Sequence, residues 1–170
     1  MTFAVKAPKD FAEPSLKDAM RQVVGAVSVV TVGDGAERTG LTVTSAVSLS
    51  LDPPTMVVSV NRAASSWPAF QRYRHFCVNL LASHHLEVAD RFAGRHGVKG
   101  AARYEGARWE QLVTGAPALA DAVASIDCAV EEFIERHSHA ILIGAVKGLR
   151  INGGAPLVYG QGSYGSFLTP

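Results

Sequence analysis

Apolar residues recur along the chain at two spacings, and each spacing predicts a different kind of element. Between residues 16 and 24 they fall three or four positions apart, as on one face of a helix, and Ser15 stands where an N-cap belongs. From Val27 onward, β-branched runs and alternation of apolar with polar positions take over, which is typical of strands. The pattern therefore predicts a short helix, ended by Gly25, ahead of a β-rich body.

The segment from Leu41 to Leu51 shows the clearest alternation. Its odd positions are mainly apolar, whereas its even positions carry small, mostly hydroxylated side chains: Thr42, Thr44, Ala46, Ser48 and Ser50. Because side chains alternate across a strand, this pattern predicts one strand with an apolar face and a hydroxylated face. Such a face lets a ligand lie close to the backbone, and an ordinary solvent-facing strand has the same composition.

Strands are also predicted at residues 27–32, 55–60, 76–81, 126–134, 140–151 and 157–159, with a hairpin turn at Gly33-Asp34-Gly35. Two further helices are predicted, one beginning at Ser65-Ser66-Trp67-Pro68 and one capped by Ser83 and ended by Gly94; residues 95–113 are expected to be irregular. Strands follow one another rather than alternating with helices. This order predicts a mainly β fold, an antiparallel barrel of six or seven strands with peripheral helices.

The length of 170 residues suits a single domain, which we place at residues 15–170 after a flexible N-terminal segment, residues 1–14. Hydrophobic residues make up 48% and charged residues 18%, and the net charge is +1 without a basic stripe, which argues against nucleic-acid binding. No apolar run reaches the roughly 20 residues of a membrane span, and no secretory signal is recognisable. Cys77 and Cys128 are expected to be buried, reduced thiols, so a cytoplasmic protein is predicted.

Gly160-Gln161-Gly162-Ser163-Tyr164-Gly165 matches the dinucleotide-binding string G-x-G-x-x-G. That fingerprint requires a helix at its last glycine, and here only five residues follow, so we reject this interpretation and expect a flexible C-terminal segment. A nicotinamide substrate would then have to bind without a dedicated dinucleotide fold.

Histidines occur in two clusters, neither of which predicts a metal site. His137 and His139 would share a face of an extended segment, but no third ligand has a recognised spacing, and His84 and His85 are adjacent and expected to point apart. No nucleophile motif is present either.

Taken in order, these segments resemble the flavin reductase-like family, whose fold is a split barrel that binds FMN or FAD. The resemblance rests on Arg38-Thr39-Gly40-Leu41-Thr42-Val43-Thr44-Ser45 and Ser48-Leu49-Ser50-Leu51-Asp52-Pro53-Pro54, and on residues 58–61, 65–67, 76–81, 91–94, 115–119, 126–128, 139–146 and 156–159. Chains of this length resemble the reductase components of two-component aromatic monooxygenases. The resemblance implies an enzyme, a homodimer in which NADH or NADPH reduces FMN or FAD for a separate oxygenase.

The resemblance also assigns roles to individual positions. The flavin ring edge is expected along Thr42, Val43, Thr44, Ser45 and Ala46, and its ribityl or pyrophosphate side near Ser48 and Ser50. Phosphate and sugar are expected at Asn61, Ser65, Ser66 and Trp67, with Arg91 and Phe92 at the cofactor rim. His139 stands where the family carries the histidine of Gly-Asp-His, a motif associated with nicotinamide binding. Here the motif reads His137-Ser138-His139, which leaves NADH against NADPH open.

Two other functions remain possible on sequence grounds. One is a flavoprotein of the same barrel that holds FMN tightly and acts as an electron carrier or on another substrate. The other is a non-catalytic barrel that binds a small ligand or a haem, for which His137 or His139 would be the axial ligand. Hydride transfer from nicotinamide to flavin is chemistry that the cofactors supply, so the lack of a strong acid, base or nucleophile motif agrees with a reductase.

Overall fold

The computed structural model describes residues 15–167, so the predicted flexible segment at residues 1–14 lies outside the described part of the chain. Three short helices are present: α1 (Leu16–Met20), α2 (Trp67–Tyr73) and α3 (Leu86–Phe92). The strands are β1 (Gly25–Ala26), β2 (Ser28–Val32), β3 (Thr39–Val43), β4 (Ala46–Leu51), β5 (Pro54–Asn61), β6 (His75–Leu80), β7 (Trp109–Gln111), β8 (Pro117–Leu119), β9 (Ala124–Arg136), β10 (His139–Ile151), β11 (Leu157–Gly160) and β12 (Ser163–Ser166).

Seven strands form one antiparallel sheet in the order β3-β2-β6-β9-β10-β5-β4. β3 and β4 are consecutive in the chain, yet they form the two opposite edges of this sheet. The inward side chains of all seven strands meet in a single core cluster, together with Trp67 and Phe70 of α2. A sheet whose strands share one interior must curl until its edges approach each other. The predicted antiparallel split barrel is therefore confirmed.

The barrel interior is closely packed around aromatic side chains. Phe70 and Phe76 are fully buried, and Gly144 makes room for the second ring, because a Cβ at residue 144 would lie 2.6 Å from ring carbons of Phe76. A second core lies outside the barrel, where α3 places Phe92 against Tyr104 with ring centroids 5.0 Å apart. Leu157 joins this second core from the small sheet β1-β11-β12.

The single strand predicted between Leu41 and Leu51 is wrong, because the structure divides it at Thr44-Ser45. Leu41 and Val43 of β3 pack against the barrel core, but after the break it is Ala46 that does so. The inward phase thus changes from odd to even positions. As a result, three odd-numbered apolar side chains of β4 are exposed: Val47 by 56%, Leu49 by 58% and Leu51 by 87%.

Several boundaries also differ from the prediction. Ser15 caps α1 in a reciprocal box with Asp18, as predicted, but the helix ends at Met20. α3 begins after His85 rather than after Ser83. Residues 95–113 include a 3₁₀ turn, Gly100–Tyr104, and β7. The hairpin at Gly33-Asp34-Gly35, which joins β2 to β3, is confirmed.

The C-terminal glycine motif is not a flexible segment. It forms the hairpin β11–β12, in which Gln161 and Gly162 make the turn with φ of 51° and 84°. Positive φ at both positions is what a two-residue hairpin turn requires. Cys77 and Cys128 are buried and unbridged, as predicted. Among residues 15–167, every helix is too short or too polar to span a bilayer.

Candidate functional site

The junction of β3 and β4 lies beside the end of β5, at one end of the barrel. The Ser45 hydroxyl donates a hydrogen bond of 3.0 Å to the carbonyl of Ser59. Two residues further along β5, Asn61 pairs with His139 of β10. The chain therefore brings three predicted site residues, Ser45, Asn61 and His139, to the same end of three neighbouring segments.

His139 is exposed at the start of β10, directly after the two-residue turn formed by His137 and Ser138. Its Nδ1 atom lies 2.8 Å from the Ser138 hydroxyl. His137 has φ of 51°, so this segment is a turn rather than the extended stretch that would place His137 and His139 on one face. Asn61 Oδ1 accepts a hydrogen bond of 2.9 Å from the Ala63 amide, which shapes the loop leading to Ser65.

A cavity of about 370 Å³ opens beside Ser65 and the first residues of β3. Its lining includes the cations Arg38, Arg72 and Lys99 and one carboxylate, Glu37. Glu37 accepts a hydrogen bond of 2.8 Å from Arg72 and another from the Tyr73 hydroxyl. These two bonds, the one from Tyr73 first, lower the pKa of Glu37, so it is ionised at neutral pH. Three cations against one carboxylate leave this cavity positive.

Arg103 lies behind this cavity and is only 8% exposed. Its guanidinium donates to the carbonyls of Gly40 and, at 3.2 Å, of Val98, and one Nη lies 3.5 Å from the Ser65 hydroxyl. Burial lowers the pKa of Arg103. Within residues 15–167 no carboxylate pairs with it. A desolvated cation that lacks a counterion attracts an anion, and the guanidinium of arginine matches the geometry of phosphate and carboxylate groups.

A second arginine supports the same conclusion. Arg38 packs its guanidinium over the Tyr104 ring, 4.6 Å from the ring centroid, and its Nε atom is buried without a hydrogen-bond partner. An orphaned donor at the wall of a positive cavity is a place for an oxygen acceptor. The residues around Ser65 therefore fit a phosphorylated ligand.

A groove with two further cavities follows the other end of β3. One of about 240 Å³ is bordered by Thr42, Val43 and Thr44, and one of about 580 Å³ by Thr44 and Ser45. Thr44 and Tyr159 border both cavities. The Thr42 hydroxyl donates to the Ala89 carbonyl of α3 at 2.7 Å, so it fastens the helix to the strand.

Ser48 and Ser50 are not brought to this site. They pair with Met56 and Thr55 of β5, five or six residues from Asn61, which at about 3.3 Å per residue is roughly 16–20 Å along the strand. Their hydroxyls serve the adjoining turn, where Ser50 Oγ accepts from the Asp52 amide at 3.1 Å. The expected position of these serines, beside the ribityl or pyrophosphate side of a flavin, stays a prediction.

Four other predicted residues support the site rather than line it. Ser66 is fully buried at the start of α2, and Trp67 packs edge-on against Phe133 in the barrel core. Phe92 is 2% exposed in the second core. Arg91 donates to the carbonyls of Ala102 and Arg103 and so holds the segment that carries Arg103. Direct contact of these four residues with a cofactor stays a prediction.

Sequence reasoning missed the cations Arg38, Lys99 and Arg103 and the aromatic residue Tyr159. Arg38 belongs to the motif that carries the family resemblance, but it was given no role. Lys99 and Arg103 fall in residues 95–113, which were expected to be irregular surface. Their basic character was visible, whereas their approach to Ser65 was not, because it depends on contacts between distant parts of the chain.

The fold and the positive cavity define a split-barrel protein with a site that suits a phosphorylated ligand. The chain matches the flavin reductase like domain over residues 20–168 and therefore belongs to that family. It is 40% identical over 158 residues to FMN reductase (NADH) RutF 2 of Methylorubrum extorquens (strain PA1), covering 92% of this chain and 91% of the relative.

Two solved structures are also similar. BorF, the flavin reductase component of a bacterial two-component tryptophan halogenase, has a TM-score of 0.83 at 27% identity, covering 91% of this chain and 98% of BorF. The NADH:FAD oxidoreductase SgcE6 of Streptomyces globisporus C-1027, in complex with NAD and FAD fragments, has a TM-score of 0.80 at 28% identity. That match covers 90% of this chain and 91% of SgcE6.

Proposed function

We propose that this chain is an NADH-dependent flavin reductase with FMN as its principal flavin. The observation that carries the proposal is the positive cavity at Ser65. Arg38 lines this cavity and Arg103 lies behind it, and neither has a carboxylate partner among residues 15–167. FMN ends in a phosphate that this cavity suits. The relative from Methylorubrum extorquens is an FMN reductase (NADH), which supports both the flavin and the nicotinamide.

The reduced nicotinamide and the flavin supply the chemistry, in which a hydride passes from the first to the second. The protein holds the two molecules in the geometry that this transfer requires. Ser65, Lys99 and Arg103 hold the flavin phosphate. The flavin ring lies at the Thr44-Ser45 break, where the chain leaves β3 and small side chains allow a close approach. His139, exposed on the neighbouring strand end, orients the nicotinamide.

The active form is a homodimer, and its partner is a separate oxygenase that receives the reduced flavin in the cytoplasm. Exposed apolar side chains on two strands of the seven-stranded sheet support self-association: Val47, Leu49 and Leu51 on β4, and Leu149 and Ile151 on β10. An apolar patch beside an edge strand is costly in water and marks an interaction surface. The description of BorF as one component of a two-component halogenase supports a separate oxygenase.

The experiment measures NADH oxidation by the purified protein with FMN, with FAD and without added flavin, followed by the absorbance of the reduced nicotinamide. We expect turnover that depends on added flavin and has its higher kcat/KM with FMN. Preference for FAD would overturn the choice of flavin. Turnover without added flavin, by a protein that stays yellow through dialysis, would support the tightly bound flavoprotein instead. No oxidation of NADH or NADPH with either flavin would refute the reductase.

A further inference from the structure

The cavity of about 580 Å³ beside Thr44 and Ser45 is not used by the flavin phosphate. It lies between α1, the β11–β12 turn and the break between β3 and β4. The Gln161 amide of the turn donates a hydrogen bond of 2.9 Å to the Arg21 carbonyl at the end of α1. The two walls are thereby joined, and the cavity faces the place where the proposed flavin ring lies.

The lining of this cavity combines apolar surface with positive charge. Met20 and Val23, each 55% exposed, and the ring of Tyr159 supply the apolar part. Lys17 and Arg21 supply two cations. Neither cation has a carboxylate within 4.0 Å among residues 15–167. Unpaired cations beside apolar and aromatic surface suit a nucleotide, which joins flat rings to phosphate groups.

We propose that this cavity binds the nicotinamide dinucleotide, with Arg21 and Lys17 paired to its diphosphate. The inference rests on the proposed reductase function and deepens it. Within residues 15–167, the cavity at Ser65 and the cavity at α1 each carry a group of cations that includes members without a carboxylate partner, and the reaction has two phosphorylated partners. Assigning the flavin phosphate to the first group leaves the second for the hydride donor. The cavity is large enough for a nucleotide half, since ligand sites usually measure about 300–1,000 Å³.

The test replaces both cations by an apolar side chain of similar length, in the double variant Lys17→Met and Arg21→Met. Both side chains are exposed on a helix that buries no residue, so the fold should persist, which a thermal melt verifies. Two hydride donors are compared at saturating FMN: NADH, and 1-benzyl-1,4-dihydronicotinamide, which carries the reacting ring but no phosphate. The matched control is Arg108→Met, an exposed cation outside this cavity.

We expect kcat/KM for NADH to fall about tenfold or more in the double variant, because each lost charge-assisted contact with a phosphate weakens binding several-fold. The benzyl donor should react at an unchanged rate, the KM for FMN should not change, and Arg108→Met should match the wild type with both donors. An unchanged kcat/KM for NADH in the double variant, or an equal loss with both donors, would overturn the inference. The reductase function would still stand in that case, because it depends on the activity of the wild type. A wild type that oxidises neither donor would refute the reductase itself.

Discussion

The charge balance of the cavity at Ser65 makes opposite predictions for two substitutions. Lys99 and Glu37 both line this cavity, and Glu37 is its carboxylate. Lys99→Ala removes one positive charge near the bound phosphate, whereas Glu37→Gln removes the negative one and leaves an amide of the same size beside Arg72 and Tyr73. We therefore expect FMN to bind more weakly to the first variant and more tightly to the second.

The size of the effect follows from Coulomb's law. One unit charge at about 6 Å from a phosphate charge, under an effective dielectric constant of about 60 for a solvent-facing cavity, contributes about 1 kcal/mol, or roughly a fivefold change in Kd. The phosphate carries more than one charge, which enlarges the effect, and salt reduces it because the Debye length is about 8 Å at physiological ionic strength. The two Kd values should therefore differ by about 25-fold or more in dilute buffer.

The assay is a fluorescence titration of FMN and of riboflavin with each variant, at low and at high salt. Riboflavin has the same ring and ribityl chain but no phosphate, so its Kd should be the same in the wild type and both variants. Lys147→Ala, which removes an exposed cation outside the cavity, is the control. Equal changes for FMN and riboflavin, or changes of the same sign in the two variants, would refute the phosphate assignment.

Four further outcomes follow from the structure. Gly144→Ala should lower the free energy of unfolding by about 1–3 kcal/mol in a urea titration, because its Cβ meets a ring at 2.6 Å, whereas Gly165→Ala, with its nearest contact at 3.6 Å, should have little effect. His139→Ala should raise the KM for NADH in steady-state kinetics, and unchanged affinity and turnover would remove its proposed role. Leu49→Lys, on the exposed face of β4, should shift the protein from dimer to monomer in analytical ultracentrifugation, and a variant that stays dimeric would contradict the assignment of this face to the dimer interface. Burial lowers the pKa of His85 in the folded protein, so the unfolded chain takes up a proton at a higher pH than the folded protein does. The free energy of unfolding should therefore fall as the pH drops below about 6.5. His85→Gln should flatten this pH dependence in urea titrations at several pH values.

Most of the strands were predicted correctly, because the alternation of apolar and polar residues along a strand indicates which of its faces is buried. The segment between Leu41 and Leu51 failed because its alternation continues unbroken while the chain turns at Thr44-Ser45. The turn moves the inward positions from odd to even residues, so an apolar row that reads as a core face in the sequence becomes an exposed face on β4. A pattern of apolar and polar residues cannot tell a core face from an exposed face that associates with another surface.

The candidate site was foreseen at four residues in short segments that carry the resemblance, Ser45, Asn61, Ser65 and His139, whose contacts with a cofactor stay a prediction. It was missed where the geometry depends on distant residues. Arg103 is held near Ser65 by hydrogen bonds to backbone carbonyls. Every residue has such a carbonyl, so the sequence does not reveal which ones Arg103 contacts. The contact between His84 and His85 was expected not to form, and it also depends on a distant residue. Their ring centroids lie 4.1 Å apart, and both rings approach the carboxylate of Asp121, which belongs to another segment of the chain.

The exposed character of α1 has a consequence for its local stability. No residue of the helix is buried, and the Arg21 carbonyl at its C-cap accepts a hydrogen bond from the Gln161 amide of the β11–β12 turn. The free energy needed to unfold such a segment locally is small compared with that of the barrel core. Its amides should therefore exchange with deuterium long before those of β5 or β9. A ligand that spans α1 and the turn would slow that exchange in proportion to its occupancy. Helix α1 can thus serve as a built-in reporter of how much hydride donor is bound.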